Sequence, residues 1–348
     1  MNTPDLEVAI LKSLWSRTND GRWGVNALKG LPLRPREGFD AKFFKFKNET
    51  SLLTSTPPKN IHDAFSGFGQ TDFFLKQSIL PVVALVDGEM QFRCIGTAFV
   101  ISCTGYLMTA CHVIVDPQES GYGQATPGPT GKMVMQGLKM GVLIPLSPAY
   151  GVSGFRFFQF EESWYWGEWK QSPLFHESDK LDILTDVAIC KIAEMPDGAA
   201  HQPLNLSLHP FSQGEKAYAI GYANMEDIPL EIIDGKPTTK DLELDLYVSV
   251  GDVMEVFPDN HETKSVPTPG PCFDFQAKIP GKMSGCPIFG AQGAVVRGVV
   301  SRSFSGDLHA YGAMLGPTCY APLTGDKTLK QMMESGNEGM ARIQGTGL

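Results

Sequence analysis

The chain has 348 residues, of which 42% are hydrophobic and 19% charged, with 37 glycines, 25 prolines and a formal net charge of −9. That length allows two or three packed units with a substantial core, and many short apolar runs broken by glycine and proline favour strands and turns over helices. The acidic balance argues against a nucleic-acid surface, and the longest apolar runs, such as ILPVVALV at 79–86, are far too short to cross a bilayer.

Residues 3–16 read as a helix. Thr3 suits the cap, Pro4 the first turn, and Leu6, Ile10, Leu11 and Leu14 form an apolar stripe. Residues 17–74 are polar and turn-rich, an irregular extension whose phenylalanine-rich runs (AKFFKFK, DAFSGFGQTDFF) suggest packing onto something. Strand signals begin near Ser78. SILPVVALV, QFRCIGTAFVIS and TGYLMTACHVIV, separated by Asp-Gly and Thr-Gly, read as a meander. A long irregular stretch, 116–180, carries Trp164, Trp166 and Trp169, which suit a buried or interface strand better than a ligand grip. ILTDVAICKI (183–192) is another strand, and SLHPFSQGE (207–215) a connector. Strands resume with KAYAIGYA, LELDLYVSVGDVMEVF, PCFDFQA, CPIFG, AVVRGVVS and AYGAMLGPTCYAPL. A short helix at about 326–335 and a glycine-rich tail close the chain. This is an all-β pattern of two halves with about six strands each.

The seven cysteines are odd in number and form no CxxC pair. The start MNTPDLEVAILKSLW lacks the basic opening and long apolar stretch of a secretory signal. The expectation is a cytoplasmic protein with reduced thiols, mostly buried, and no metal site: Cys111 and His112 are the only close Cys/His neighbours, and adjacent residues rarely chelate one ion.

Three short motifs matter together. His112 ends GYLMTACH, Asp186 opens an apolar strand in TDVAICKI, and Ser284 lies between glycines in GKMSGCPIF. Each is weak alone: a lone histidine is more often structural, Asp182 rivals Asp186, and Ser284 by itself is a loop serine. As a set they supply what acyl transfer needs: a hydroxyl, a base near neutral pH and a carboxylate fixing the base's tautomer.

These segments resemble the trypsin/chymotrypsin-like serine proteases, closest to their bacterial, non-secreted branch. Thr109-Ala110-Cys111-His112 resembles the family's T-A-[AC]-H, Asp186 to Ile189 its D-[VIL]-A-[IL], and Ser284, Gly285 and Pro287 the second half of G-x-S-G-x-P. GVVSRS (298–303) resembles the strand beside bound substrate, placing Ser301, Arg302 and Ser303 along the cleft, with His309 and Tyr311 on the strand flanking the primary pocket. The resemblance covers roughly 76–325. It implies two six-stranded β-barrels of the chymotrypsin type: an extension at 1–75, a first barrel at 76–207, a second at 208–325, and a C-terminal helix and tail at 326–348. It also implies a serine endopeptidase acting on protein or peptide substrates without cofactor. In that scheme His112, Asp186 and Ser284 are catalytic, and the backbone amides of Lys282 and Ser284 form the oxyanion hole.

Two departures matter. Lys282 stands where the family usually has glycine, which has moved to Gly281. A side chain there restricts the backbone angles that turn the amide inward, so the hole is expected to be malformed at rest and completed by substrate or a partner, with residues 1–75 as the candidate docking region. Met283 replaces the aspartate of the secreted digestive enzymes, which removes their route of zymogen activation. Two rivals follow: a catalytically silent protease-like domain that binds peptides or proteins, and a cysteine protease of the same fold using Cys286.

Overall fold

In the computed structural model the described residues are 13–17, 23–27, 78–119, 121–127, 133–146, 154–170, 180–193, 195–196, 203–239, 246–258, 261–262, 267–290, 295–303, 309–335 and 341–345. They form two closed six-stranded barrels and few helices. The first barrel consists of β1 (Ile79–Val86), β2 (Gln91–Val100), β3 (Tyr106–Thr109), β4 (Leu138–Leu146), β5 (Gly154–Trp164) and β6 (Ala188–Ile192). Its order is β6-β3-β2-β1-β4-β5, and β5 pairs back onto β6. The second barrel consists of β7 (Lys216–Tyr222), β8 (Leu246–Phe257), β9 (Cys272–Phe275), β10 (Pro287–Gly290), β11 (Val295–Ser303) and β12 (Ala310–Met314). Its order is β10-β7-β8-β9-β12-β11, closed by β10 on β11. Closure leaves neither barrel with a free strand edge.

The expected meander of three runs, 78–115, is present as far as Thr109. At its first turn the amide of Glu89 donates to Val86 O at 3.1 Å, and Gly88 supplies the positive φ of +87°. The run TGYLMTACHVIV is not one strand, however. It leaves the sheet at Thr109 and enters helix α1, Cys111–Glu119. Val113, Ile114 and Val115 pack into the first core, so tertiary burial converts β-branched sequence to helix. The described part of 116–180 is likewise not irregular. It supplies β4 and β5, two of the six strands of the first barrel, with Phe155, Phe157 and Phe160 buried and the Phe157 ring 5.5 Å from that of Phe92. Trp164 ends β5 stacked on Tyr106, and Trp169 lies in the short strand Gly167–Lys170.

At the N-terminus the expected helix fails where it is described. Ser13–Arg17 is a strand paired antiparallel with Trp23–Ala27, across a stretch containing Asn19-Asp20-Gly21. The hairpin turn signal outweighs a helical stripe that has little propensity to persist alone. Residues 3–12 and 28–77 lie outside the described residues.

Both halves exchange small strands. Asn205–Ser207 pairs with β11, while Ile228–Pro229 and Lys236–Thr239, from the second half, pair with β2 and β5. Arg297 on β11 anchors the connector: its Nε donates to His209 O at 3.1 Å, its guanidinium binds Pro210 O and Glu215, and it stacks 4.0 Å over Phe211. After β12 come two short helices, α2 (Gly316–Tyr320) and α3 (Leu329–Ser335). A Thr328–Gln331 capping box starts α3, three residues later than the sequence suggested. Its buried Leu329, Met332 and Met333 join the first core.

Candidate active site

Asp186 precedes β6 and is completely buried. Three donors compensate its charge. The His112 amide binds Oδ1 at 2.9 Å, His112 Nδ1 binds Oδ2 at 2.8 Å, and the Ser301 hydroxyl also donates to Oδ2. Helix α1 makes the first two possible, because its opening turn aims the backbone N–H and the ring of His112 at one carboxylate. Burial works against the Asp186 charge, but the imidazole and these hydrogen bonds outweigh it and hold the carboxyl below its ordinary 3.8. Burial likewise works against a charged His112. The charge and hydrogen bond of Asp186 prevail, with help from Asp116, and raise the imidazole above 6.5; Arg302 opposes them. Asp182, the rival residue, is in backbone register with Glu168 in a separate two-stranded sheet.

Ser284 stands on a turn of the second barrel. The Cys286 amide donates to Met283 O at 3.0 Å, placing Ser284 second and Gly285 third in a four-residue turn, where Gly285 takes φ +85°. A Cβ on Gly285 would come within 2.1 Å of Thr109 Oγ1 and 2.2 Å of Thr97 O, so glycine is required for space as well as conformation. Gly281 carries no such demand: nothing lies closer to its would-be Cβ than Asn224 Oδ1 at 3.9 Å. The left-handed residue is Lys282 itself, at φ +73°. That conformation disfavours a side chain by about 1–2 kcal/mol, and it is held from both sides. The Asn224 amide binds Gly281 O at 2.7 Å, and the Thr97 hydroxyl binds Lys282 O at 3.0 Å. Among the described residues, neither the Lys282 nor the Ser284 amide has an intramolecular acceptor.

Residues 96–296, more than half of the chain, match the model of the trypsin-like peptidase domain. The chain belongs to that family. No curated protein sequence matches the chain. Solved structures similar to it include Deg5, at 16% identity and TM-score 0.41 over 71% of this chain and 88% of that one. The active form of Rv3671c protease from M. tuberculosis is similar at 16% identity and TM-score 0.38, over 78% and 85% of the two chains. Its inactive form gives 15% identity and TM-score 0.40, over 76% and 94%.

In this trypsin-like peptidase domain, His112, Asp186, Ser284 and Ser301 come together. Ser301 joins the cluster twice, through its hydroxyl on Asp186 and through its carbonyl, which accepts from Ser284 Oγ at 3.3 Å. Ser303 Oγ donates to Ile279 O at 3.1 Å, in the segment leading to the Ser284 turn. Arg302 lies between them, its charge felt at His112. His309 stands apart from this network: its Nδ1 faces both oxygens of Asp274 at 3.1 Å, and the pair is partly exposed. Tyr311 is buried, its hydroxyl pushed above its ordinary pKa by burial and by Asp274.

Cys286 is buried in the second core and burial raises its thiol far above the ordinary range, which removes it as a nucleophile. All seven cysteines are free thiols. Among the described residues no cluster suits a metal ion, and no helix is long and apolar enough to cross a membrane. Thr97 escaped the sequence reading; its signal was a threonine set among apolar residues in β2, where it is completely buried.

Proposed function

We propose that the chain is a serine endopeptidase. His112 Nε2 takes the Ser284 proton as Oγ bonds to the scissile carbonyl carbon. The imidazolium then returns that proton to the departing amine as the C–N bond breaks, leaving an acyl-enzyme. Water, deprotonated by the same nitrogen, releases the carboxylate product and regenerates the serine. Asp186 holds the ring with Nδ1 protonated and stabilises the imidazolium. The amides of Lys282 and Ser284 receive the developing oxyanion.

One observation carries this reading: a buried carboxylate, satisfied by three donors, grips the imidazole through Nδ1 and is linked by Ser301 to the serine turn. The carbonyls preceding the two free amides are themselves pinned, Gly281 O by Asn224 and Met283 O by Cys286. A trans peptide points its N–H opposite to its C=O, so these bonds set both amide directions. That favours a turn shaped in the resting chain over one completed by substrate or partner.

A fluorophosphonate probe tests the proposal. The purified full chain is expected to form one adduct, on Ser284, and the Ser284→Ala variant none. The second reading, a silent peptide-binding domain, draws on the resting Ser284 hydroxyl bonding Ser301 O. It predicts an unlabelled chain that still binds peptides.

A further inference from the structure

We infer that Thr97 is a positioning residue of the site, a latch from the first barrel that keeps Lys282 in its left-handed conformation. The inference rests on the endopeptidase reading and deepens it. Two of the four polar connections of Thr97 go to the serine turn, and the other two hold Thr97 itself in place. Its amide donates to Ser284 O at 2.8 Å and its hydroxyl to Lys282 O at 3.0 Å. The same hydroxyl accepts from the Tyr222 amide at 3.2 Å, and its carbonyl accepts from Thr109 Oγ1 at 2.7 Å. One O–H donor and one accepting lone pair are thus both used, in a site with no water access. With glycine at 282 the left-handed backbone would need no such hold; with lysine it does. The strained residue of one barrel is locked by a hydroxyl of the other, so the site is assembled only when the barrels are docked.

The test is a double-mutant cycle on the full chain, read by fluorophosphonate labelling rate and by kcat and KM on a peptide the wild type cleaves. Thr97→Val is expected to lower kcat about 10- to 100-fold with KM within about threefold, below the loss typical of a whole oxyanion donor. Thr97→Ser restores most of it. In the Lys282→Gly background the same valine substitution is expected to cost less than about threefold. Hydrogen exchange of the 279–286 segment should quicken in Thr97→Val alone. Equal losses in both backgrounds, or unchanged labelling, would overturn the latch. If Thr97→Val does not fold, Lys282→Gly decides through stability: relief of the left-handed strain should raise the melting temperature, and an unchanged or lowered melting temperature refutes the latch. An unlabelled wild type would instead sink the endopeptidase reading.

A separate observation assigns Arg302 a ligand. On one side of it Ser301 is turned into the protein by its bond to Asp186, and on the other Ser303 is tied to Ile279 O. Arg302 Nε is buried with no acceptor, and no ion pair or hydrogen bond engages the guanidinium among the described residues. An unpaired cation beside the histidine of a chain with net charge −9 is not a solubility device. The geometry points to a carboxylate side chain of the bound peptide, held by the guanidinium fork. The test is fluorescence-anisotropy binding to the Ser284→Ala chain, which needs no hydrolysis. Peptides carrying Glu, Gln or Lys at successive positions are compared. At one position the Glu peptide should bind at least about tenfold tighter than its Gln partner, with a preference that fades in salt, vanishes in Arg302→Gln and reverses toward Lys in Arg302→Glu. Equal binding of Glu and Gln peptides at every position, or binding by none, would overturn the assignment.

Discussion

Ser284 Oγ donates to the backbone carbonyl of Ser301, at 3.3 Å, and not to the ring of His112. The endopeptidase reading requires Oγ to leave that carbonyl for the imidazole, and rotation about the side-chain bond of a partly exposed serine is fast and cheap. What has to be fixed in advance is the imidazole, and that is where the structure concentrates its hydrogen bonds. Asp186→Asn keeps the shape but offers an amide where His112 Nδ1 now donates, favouring the wrong tautomer. The expected loss in kcat is about 10⁴-fold, against about 10⁶-fold for Ser284→Ala. Steady-state kinetics on one cleaved peptide checks both; equal activity of Asp186→Asn and wild type would remove Asp186 from the mechanism.

The pH profile follows from the same pair. In the proposed mechanism His112 accepts the serine proton only when neutral, and Asp186 raises the imidazole above 6.5. The rate is therefore expected to climb with pH through a midpoint higher than that of a free imidazole. Arg302 works against the imidazolium and Asp116 for it. Arg302→Gln should move the midpoint up and Asp116→Asn should move it down, measured as the acid limb of kcat/KM.

Stability has two pH limbs with opposite signs. The folded carboxyl of Asp186 sits below 3.8, so its contribution is present above that value and is lost as pH falls through the folded pKa. His112 is raised, so its contribution is full below 6.5 and is lost as pH rises through the folded value. Ser301→Ala removes one donor from Asp186 and brings its pKa back toward the ordinary value. Urea midpoints recorded against pH should then fall less in acid than in wild type, with the part of the decline linked to Asp186 ending at a higher pH.

Much of this was legible because the motifs are local. TACH carries its histidine just past a strand end, TDVAI its aspartate just before a strand and SGCP its serine on a turn, places that short-range sequence marks. The first helix was not legible, since CHVIV has the same apolar run in strand or helix and only packing decides. The walls β4 and β5 were hidden by glycines, prolines and charges that usually mark loops. The role of Thr97 depends on a partner 185 residues away, and no local pattern encodes that distance. Lys282 stood out as a departure from the resembled motif, but its accommodation rests on Asn224 and on Thr97 of the other barrel.

Thiol chemistry offers an independent check on the core. Cys94, Cys190, Cys272 and Cys319 are pushed up to about 12 by burial. Cys111 and Cys286 are buried and shifted upward as well. Cys103 alone is not buried. Ellman's reagent should titrate Cys103 rapidly in the native chain and the other six only on unfolding. Fast reaction of Cys286 would contradict its place in the second core.

The two glycines flanking Lys282 and Ser284 give the sharpest steric contrast. Gly285 combines φ +85° with approaches of 2.1 and 2.2 Å from its would-be Cβ to Thr109 Oγ1 and Thr97 O. One of those atoms is backbone of β2, which cannot retreat without opening the barrel interface. Gly285→Ala is therefore expected to destabilise by about 3 kcal/mol or more and to abolish labelling of Ser284. Gly281 is exposed and meets nothing within 3.9 Å. Gly281→Ala should stay within about 0.5 kcal/mol of wild type, with labelling retained. Chemical denaturation of both variants, alongside probe labelling, measures the contrast; comparable losses at the two positions would mean that the turn is not held against β2 as described.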